Sequence, residues 1–303
     1  MKNSFKSGFV TIISRPNVGK STLLNNIVGQ KIAITTSTAQ TTRKQIKGIY
    51  TDDTKQIVFV DTPGVHKPLN ELGKTLAKET YDALEGADLI LFLLDSKEPA
   101  GLGDKWIVEN YLKKVNCPIL LVLNKVDLIK DLEKREANLY SYKKLFEPKN
   151  MPSVFVSAKT SRNINDLLDK IEEYLPEGEK FYNEEEITDQ TLRNIASETI
   201  REKIILNTKD EIPHQCAVII EKYEEKENID RIFAKIIVST EGQKKIMIGK
   251  GGELLKKIGT SARIELEKNF EKKIYLELFV KVQKNWQKDE KVVKNLFENA
   301  WKK

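Results

Sequence analysis

Apolar residues in the first half of the chain form short runs that alternate with amphipathic stretches. The runs 88–94 and 118–123 are almost continuously apolar, as expected for strands that are covered on both faces. Further strand-like runs lie at 9–13, 57–60 and 154–156, and helical spacing occurs at 21–28 and 163–174. Strands separated by helical patterns predict βαβ units, and therefore an α/β domain with a mostly parallel sheet.

The alternation ends at 175–186, where a proline, a glycine and a short acidic run follow the last helix. We therefore predict a first domain at 1–176, a linker at 177–187 and a second domain at 188–303. Beyond the linker the pattern is a helix at 190–207, strands at 216–223 and 231–239, a glycine-rich turn at 249–252 that leads into a helix, a second helix at about 260–270 and a strand at 274–282. This order predicts an α+β domain.

The composition of the 303 residues, 40% hydrophobic and 32% charged, predicts a soluble chain with two sizeable cores. No run approaches the ~18 apolar residues of a transmembrane helix, and the first residues lack the pattern of a secretory signal. With Cys117 and Cys216 as the two cysteines, a disulfide framework and a Cys-based zinc site are excluded, and a reducing cytosol is expected. His66 and His214 are the two histidines, which disfavours a His-rich metal site.

The positive charge is concentrated near the end of the chain. Residues 244–303 contain 16 Lys and Arg against 8 Asp and Glu, a net charge of +8, whereas the whole chain has +6. Such a basic segment indicates a polyanion as partner of the second domain. Solvated lysines on exposed helices are the equally good alternative.

The segment 14–21 has the pattern of a phosphate-binding loop, because it follows a predicted strand and opens a predicted helix. Lys20 would reach the β- and γ-phosphates, and the Ser21 hydroxyl would hold Mg²⁺. Ser14 replaces the usual opening glycine; it either adopts a positive φ, at about 1–2 kcal/mol, or occupies an ordinary extended position. The expected nucleotide-binding residues here are Ser14, Arg15, Pro16, Asn17, Val18, Gly19, Lys20 and Ser21.

Three more polar segments follow predicted strands. They consist of Asp61, Thr62, Pro63 and Gly64; of Asn124, Lys125, Val126 and Asp127; and of Ser157, Ala158 and Lys159. Asp61 would be directed at Mg²⁺, and Asp127 would accept two hydrogen bonds from the guanine N1–H and N2 amine, a pattern that adenine does not offer. Because ligands of open α/β sheets bind at the carboxyl ends of the strands, the ordered set predicts a GTP/GDP site.

A glycine motif in the second half, Gly249, Lys250, Gly251 and Gly252, lies between two predicted helices. Without a Cβ, such a turn lets the protein backbone approach a nucleic-acid backbone closely, and the lysine adds phosphate attraction. The neighbouring apolar residues Ile248, Leu255 and Ile258 are expected in the core.

These motifs together resemble the Era family of GTPases over essentially the whole chain. The match rests on the phosphate loop, on Thr41, Thr42 and Arg43, and on the motifs at 61–64, 124–127, 157–159 and 249–252. The resemblance implies an α/β P-loop GTPase domain followed by an α+β type II KH domain. It also implies that Thr42 joins Ser21 and Asp61 as a ligand of Mg²⁺; the alternative is an exposed threonine at a strand edge.

The residues that promote hydrolysis differ from those of small signalling GTPases. Val65, which we count with the nucleotide-binding residues, occupies the position of their water-orienting glutamine, so slow intrinsic turnover is expected. The catalytic residues implied are Lys20, Asn17 and Thr42. Related GTPases with asparagine at position 17 bind K⁺, which adds positive charge near the transition state; the alternative is an asparagine that stabilises the loop. His66 is expected to be solvated, and Arg43 to face the surface or RNA.

The basic segment 285–303 has apolar residues at roughly helical spacing, namely Trp286, Val292, Val293, Leu296, Phe297 and Trp301. We favour an end helix packed on the sheet of the second domain. An amphipathic helix on an anionic membrane is the alternative.

The resemblance implies that the ligand of the second domain is 16S ribosomal RNA near its 3′ end and that the protein assists assembly of the small (30S) ribosomal subunit. A monomeric, cytoplasmic protein is expected, with peripheral contact to the inner membrane surface left open. Two other functions remain: an RNA-binding assembly chaperone in which GTP has little catalytic role, and a tRNA-modification GTPase. The glycine motif and the lack of a C-terminal cysteine disfavour the latter.

Overall fold

The computed structural model describes residues 4–36, 45–64 and 70–298. The chain forms two compact units, the first comprising Met1–Lys67 and Thr75–Asp189 and the second Pro68–Lys74 and Gln190–Lys303. The predicted linker, 177–187, falls within the first unit in this division.

The first unit alternates strands and helices, as the hydrophobic pattern predicts. Its strands are β1 (Lys6–Ile13), β2 (Ile46–Thr51), β3 (Lys55–Asp61), β4 (Leu89–Asp95), β5 (Ile119–Asn124) and β6 (Ser153–Phe155). Its helices are α1 (Lys20–Val28), α2 (Glu71–Glu85, in this unit from Thr75 onward), α3 (Leu102–Asn110), α4 (Leu132–Lys143) and α5 (Ile164–Glu172). The strand order is β2-β3-β1-β4-β5-β6, with β2 antiparallel to β3 and the other neighbours parallel.

Both faces of this sheet are covered. Along β4, Leu89, Leu91 and Leu93 belong to one hydrophobic cluster, whereas Ile90 and Phe92 point into another on the opposite face. All five side chains are fully buried, and burial of each stabilises the fold by about 1.5–3 kcal/mol. This two-sided burial explains why β4 has no polar alternation. The parallel direction of the strands places their carboxyl ends at one edge of the sheet.

The segment that follows α5 lies along the first unit. Gln56 is fully buried, and its Oε1 accepts hydrogen bonds from the backbone N–H groups of Phe181 and Tyr182, at 2.7 and 3.0 Å. Its Nε2 donates to the carbonyl oxygen of Tyr182 at 2.9 Å, and the ring of Phe181 lies 4.9 Å from that of Phe9. The predicted linker is therefore held by a buried side chain.

The same segment pairs with the outer strand of the sheet. The backbone N–H of Ile49 donates to the carbonyl of Ile187 at 2.9 Å, and Thr188 forms an antiparallel bridge with Gly48. The Thr188 hydroxyl also donates to the carbonyl of Lys47 at 2.8 Å. Residues 187–188 thus extend the sheet beyond β2.

The second unit contains a three-stranded sheet with helices on one face. Its elements are α6 (Leu192–Asn207), α7 (Ile212–Gln215), β7 (Ala217–Glu224), β8 (Ile229–Val238), α8 (Glu241–Ile248), α9 (Glu253–Phe270), β9 (Lys273–Val282) and α10 (Glu290–Glu298). The strand order is β7-β8-β9, with β7 and β8 antiparallel and β8 and β9 parallel. Residues of α6, α9 and all three strands share one core that includes Ile200, Ile232, Ile258 and Ile274. This is the predicted α+β arrangement.

The helices around the glycine turn differ in one respect from the sequence pattern. The two helices predicted after the turn form a single helix, α9, and the helix before the turn is α8. Gly259 lies inside α9, where a Cβ would approach Leu278 to 3.3 Å. This glycine therefore permits close packing of α9 on β9 and does not end the helix.

The C-terminal segment packs against the second unit as far as it is described. Trp286 is fully buried and its Nε1 donates to the carbonyl of Gln215 at 3.0 Å. In α10, which contacts β7, Val293 is buried. These contacts favour the packed end helix over a membrane-bound one, while Trp301 lies outside the described residues. Among the helices described, none has the length and hydrophobicity needed to cross a bilayer.

Candidate nucleotide site and nucleic-acid interface

The phosphate loop connects β1 to α1 with two residues in the left-handed region, Asn17 at φ 64° and Gly19 at φ 105°. A Cβ on Gly19 would lie 2.6 Å from Nδ2 of Asn124, so glycine is required there by both backbone and space. Asparagine is one of the residues that tolerate this region, which suits it to position 17. Ser14 does not have a positive φ. It therefore occupies an ordinary backbone position without strain, which is the second of the two alternatives predicted for it.

Lys20 begins α1 and is buried, with its Nζ 3.4 Å from Ser14 Oγ. Burial lowers the pKa of the Lys20 ammonium, an effect that the nearby Asp61 carboxylate opposes. A polyphosphate placed against the loop would favour the charged form further, because opposite charges stabilise each other strongly in a buried site. This placement suits the predicted role of Lys20 as the phosphate-binding cation.

Two of the three predicted Mg²⁺ ligands meet in the structure. Ser21 Oγ donates to Oδ2 of Asp61 at 2.9 Å, and Asp61 is fully buried at the end of β3. A hydroxyl and a carboxylate oxygen are donors that Mg²⁺ prefers, so the residues fit the ion. The described ranges contain no cluster of three His, Cys, Asp or Glu able to hold a metal. When bound there, Mg²⁺ would neutralise charge on the phosphates.

The other residues of the 61–64 motif contact β1 and the phosphate loop beside Asp61. The Thr62 hydroxyl donates to the carbonyl of Ile12 at 2.8 Å, which fixes the exit of β3 against β1. A Cβ on Gly64 would lie 3.5 Å from Pro16, so this motif approaches the phosphate loop. Pro63, which precedes Gly64, is buried. Thr42 and Val65, and with them Thr41, Arg43 and His66, lie outside the described residues.

The predicted base-binding motifs come together at the ends of β5 and β6. Asn124 Nδ2 donates to the carbonyl of Val18 at 2.8 Å, while its Oδ1 accepts from the N–H of Ala158 at 2.9 Å. Ser157 Oγ donates to Oδ1 of Asp127 at 2.6 Å, which fixes the carboxylate that would read guanine. Val126 is buried and Lys159 is exposed. Asn124 therefore connects the 124–127 motif to the phosphate loop and to the 157–159 segment.

Lys125 joins the same site from the other side. Its backbone is left-handed, at φ 66°, and its Nζ donates to the carbonyl of Asn17 at 2.7 Å and to Oδ2 of Asp95 at 2.8 Å. Asp95 is the last residue of β4 and is buried. Asp95 is not among the predicted site residues, although its place at the carboxyl end of an apolar strand is the same signal that located Asp61.

Arg15 points to the segment after β4. Its Nη2 donates to Oε2 of Glu98 at 2.7 Å, and its Nε lies 3.6 Å from Oδ1 of Asp104. Burial raises the pKa of the Asp104 carboxyl, an effect that a hydrogen bond from Gly101 and the charge of Arg15 oppose. The motif itself held no sign of these two partners, because they are more than eighty residues away along the chain.

In the second unit, the glycine motif forms a tight turn between α8 and α9. Gly249, Gly251 and Gly252 all have positive φ, at 76°, 60° and 84°, and the N–H of Gly252 donates to the carbonyl of Gly249 at 3.2 Å. A Cβ on Gly249 would lie 2.9 Å from Leu254, whereas none on Gly251 or Gly252 would meet a described atom within 4 Å. With Lys250 exposed beside them, these two glycines leave the backbone open to a ligand. Ile258 is in the core and Ile248 and Leu255 pack against it, as predicted.

Comparison with known families assigns both units. Residues 9–125 match the model of the 50S ribosome-binding GTPases, and residues 211–287 match the model of the KH domain. The GTPase Era of Halothermothrix orenii is 42% identical over 97% of this chain and 98% of its own length. The GTPase Era of Leuconostoc citreum is 46% identical over 94% of each chain.

Two solved structures are similar over nearly the whole chain. One is Era in complex with MgGDPNP and nucleotides 1506–1542 of 16S ribosomal RNA; it is 38% identical, covers 96% of this chain and 98% of its own, and has a TM-score of 0.93. The other is an Aquifex aeolicus Era variant bound to GDP and AlF₄⁻, at 38% identity, 96% and 99% coverage and a TM-score of 0.92. Relatives and solved structures that are about 40% identical thus match nearly the whole length of both chains, and the chain belongs to the Era family of GTPases.

Proposed function

We propose that this GTPase binds 16S ribosomal RNA near its 3′ end through the KH unit and assists assembly of the small ribosomal subunit. The observation that carries the proposal is the 38% identity over 96% of the chain to an Era structure bound to MgGDPNP and nucleotides 1506–1542 of that RNA. GTP and Mg²⁺ would act as a switch on RNA binding.

The geometry of the glycine turn supports a single-stranded ligand. Gly251 and Gly252 present backbone that no described side chain covers, and Lys250 is exposed at the same turn. KH domains hold about four unpaired nucleotides by clamping their backbone at such a turn. The unpaired end of a ribosomal RNA fits this requirement better than a duplex does.

Crosslinking tests the ligand. The wild-type protein and a Gly252→Asp variant are crosslinked to RNA in cells, and the bound RNA is sequenced. Reads at the 3′ end of 16S RNA that disappear in the variant support the proposal, whereas reads concentrated in tRNA would favour a tRNA-modification GTPase. Hydrolysis measured with and without that RNA separates the switch from an assembly chaperone, since a chaperone with little catalytic role for GTP would show equal rates.

We further propose K⁺ as a second cation beside Mg²⁺, with Asn17 as a ligand. Asn17 is exposed at the phosphate loop, and its backbone carbonyl is held by Lys125. A cation there would add positive charge close to the phosphates, where charge develops during transfer. The left-handed backbone of Asn17 is by itself a sufficient reason for asparagine, so the experiment on this residue must preserve that backbone.

The place of action proposed is the cytoplasm, with the protein as a monomer. Burial of Trp286 and Val293 supports a C-terminal helix that packs within its unit, which disfavours membrane contact. Co-sedimentation with vesicles rich in anionic lipid tests that contact, and light scattering of the nucleotide-bound protein tests the monomer.

A further inference from the structure

Side chains hold the phosphate loop from two directions. From β5, Asn124 and Lys125 donate to the carbonyls of Val18 and Asn17, which links the loop to the guanine-reading motif. From the loop itself, Arg15 extends to the connection between β4 and α3. The second direction involves residues that the nucleotide motifs do not contain.

Asp104 is the buried end of this second link. It lies in the first turn of α3, is fully buried, and its Oδ2 accepts from the N–H of Gly101 at 2.9 Å. Its other oxygen, Oδ1, lies 3.6 Å from Nε of Arg15, and within the described part of the chain neither of these two buried atoms has a hydrogen-bond partner. The Asp104 carboxylate therefore faces the Arg15 guanidinium as its charge partner, and removing the arginine leaves that carboxylate buried and uncompensated, whereas a partly exposed Arg15 that loses Asp104 still has Glu98.

Glu98 is the outer end. Its Oε2 accepts a hydrogen bond from Nη2 of Arg15 at 2.7 Å, but half of the Glu98 side chain is exposed. Because solvent screens the charge, we expect Glu98 to restrain Arg15 less than the buried Asp104 does. The two carboxylates face different nitrogens of one planar guanidinium, Glu98 through a hydrogen bond and Asp104 through a charge contact at 3.6 Å. Such a two-sided contact restrains the direction of the arginine, and with it the backbone at the start of the loop, more strongly than a single ion pair would.

We propose that Asp104 and Glu98 are positioning residues for the GTPase reaction, which act through Arg15 to hold the phosphate loop in its nucleotide-binding conformation. Binding of phosphates by backbone N–H groups requires those groups to be fixed before the nucleotide arrives. Loss of the restraint weakens binding of the nucleotide equally in the ground state and in the transition state. KM therefore rises and nucleotide release becomes faster, while kcat remains nearly unchanged.

The experiment uses the full-length protein and a fluorescent GDP analogue. Asp104→Asn retains an oxygen that can accept from Gly101 but removes the charge opposite Arg15. We expect GDP release about fivefold faster or more, a higher KM for GTP and a kcat within about twofold of wild type, because the substitution removes one of the two charges that restrain Arg15. Glu98→Gln should show a smaller change of the same kind.

Two controls separate positioning from stability. Glu109→Gln removes an exposed carboxylate of the same helix, which lies 4.0 Å from Lys105, and should leave release unchanged. Asp52→Asn removes a carboxylate paired with Lys55 in the turn before β3, away from the carboxyl ends of the strands, and serves as a destabilised variant with an intact loop. Release unchanged in Asp104→Asn, at a reduced stability like that of Asp52→Asn, would overturn the proposal.

A double-mutant cycle tests the path through Arg15. Arg15→Met combined with Asp104→Asn should release GDP no faster than the more severe single variant, since both changes break the same link. Additive effects would show that the two residues act separately. Faster release in Arg15→Met with unchanged release in both carboxylate variants would show that the arginine acts on the nucleotide directly, which also contradicts the proposal.

Discussion

Asp127 and Ser157 show how a single hydrogen bond prepares a residue for its ligand. The Ser157 hydroxyl fixes one carboxylate oxygen, so the group meets guanine in one orientation. Asp127→Asn replaces an acceptor by an amide donor, and we expect the affinity for GDP to fall by about a hundredfold or more while xanthosine diphosphate, with a carbonyl in place of the amine, binds better. Calorimetric titration measures both.

Asp131→Asn is the matched control for this substitution. Asp131 caps α4 four residues further on, its carboxylate accepts from the N–H of Lys134, and asparagine caps a helix equally well. Its nucleotide affinity should remain that of wild type. Wild-type binding of ATP within about tenfold of GTP would contradict the role of Asp127.

The cation prediction belongs to Asn17. Replacement of Na⁺ by K⁺ at constant ionic strength should raise GTP turnover, since a bound cation stabilises developing charge. Alanine at position 17 would strain the left-handed backbone by about 1–2 kcal/mol, whereas Asn17→Gly retains it and removes the side chain. We expect the K⁺ effect to vanish in Asn17→Gly. Equal wild-type rates in both salts would leave Asn17 as a loop residue.

The sequence predicted that its candidate nucleotide-binding segments come together, but it did not predict the contacts of Arg15 with residues outside those segments. Gly19, Asp61, Asn124 and Asp127 lie in short segments after strands, so the rule for parallel sheets brings them together without a structure. Glu98 touches the site through Arg15 from the connection between β4 and α3, 83 residues further along the chain. No spacing along the chain encodes that contact.

At the scale of elements, the glycine turn between α8 and α9 gives a test of RNA binding. Gly252→Asp places a negative charge where a nucleic-acid backbone would bind, and we expect RNA affinity to fall by at least about tenfold, or about 1.4 kcal/mol. Gel shift or fluorescence anisotropy with a 16S 3′-end oligonucleotide measures it. GTP binding should remain, because the nucleotide motifs lie in the other unit.

The variant Gly252→Asn separates charge from bulk. Both substitutions meet the same backbone cost at φ 84° and the same open space, so they differ mainly in charge. Lys250→Ala should lower the salt dependence of binding by about one phosphate contact. Circular dichroism checks that each variant is folded. Wild-type affinity in folded Gly252→Asp would assign RNA binding to another basic surface.

The turn between β2 and β3 carries a pH-dependent contribution to stability. Burial alone would raise the pKa of Asp52, but hydrogen bonds from Thr54 and Lys55 outweigh it and bring the pKa to about 2. The unfolded value is about 3.9, so the folded state favours the charged form. The stabilisation, on the order of 1–2 kcal/mol, is present above about pH 4 and is lost as the pH falls towards 2.

Urea unfolding at pH 6 and pH 3 tests this contribution. Asp52→Asn should remove part of the loss of stability between the two pH values, because the group no longer takes up a proton on unfolding. The exposed neighbour provides the control Asp53→Asn, which should retain the wild-type difference. An unchanged difference in Asp52→Asn would contradict the assignment.

The elements predicted from periodicity are present apart from the break expected near Gly259, whereas β2, α2, α3 and α4 were not individually predicted. The apolar run of β4 and the strands of the KH unit were located correctly, because burial of one or both faces of a strand determines which positions along it are apolar. Gly259 has the same chemistry as a helix-ending glycine but lies against Leu278 within α9. The difference is a property of the neighbouring strand.

For the whole molecule, the segment 177–189 decides where the GTPase unit ends. Gln56 is buried and uses both ends of its amide on this segment, and Ile187 packs against the core of the first unit. Composition alone predicted a linker, because the partners of Gln56 are backbone groups that leave no side-chain pattern. Predicting the segment's position would require the tertiary structure of the sheet edge.

Truncation tests this assignment. A fragment ending at residue 189 should unfold at a higher urea concentration than one ending at residue 176. We expect the free energies of unfolding to differ by about 2–4 kcal/mol, because the shorter fragment loses an apolar contact and leaves buried amide groups unpaired. GDP binding verifies that both fragments are folded. In the full-length chain, Gln56→Met should reproduce part of the loss. Equal stability of the two fragments would contradict a structural role for 177–189.

The pairing of Thr188 with Gly48 has one more consequence, for association between molecules. A strand at the edge of a sheet exposes unpaired N–H and C=O groups, which are a template for the strand of another chain. Residues 187–188 occupy part of that edge on β2. Wherever proteolysis or truncation removes them, the sheet edge becomes available, and aggregation of the GTPase unit should increase with protein concentration even under conditions in which it stays folded.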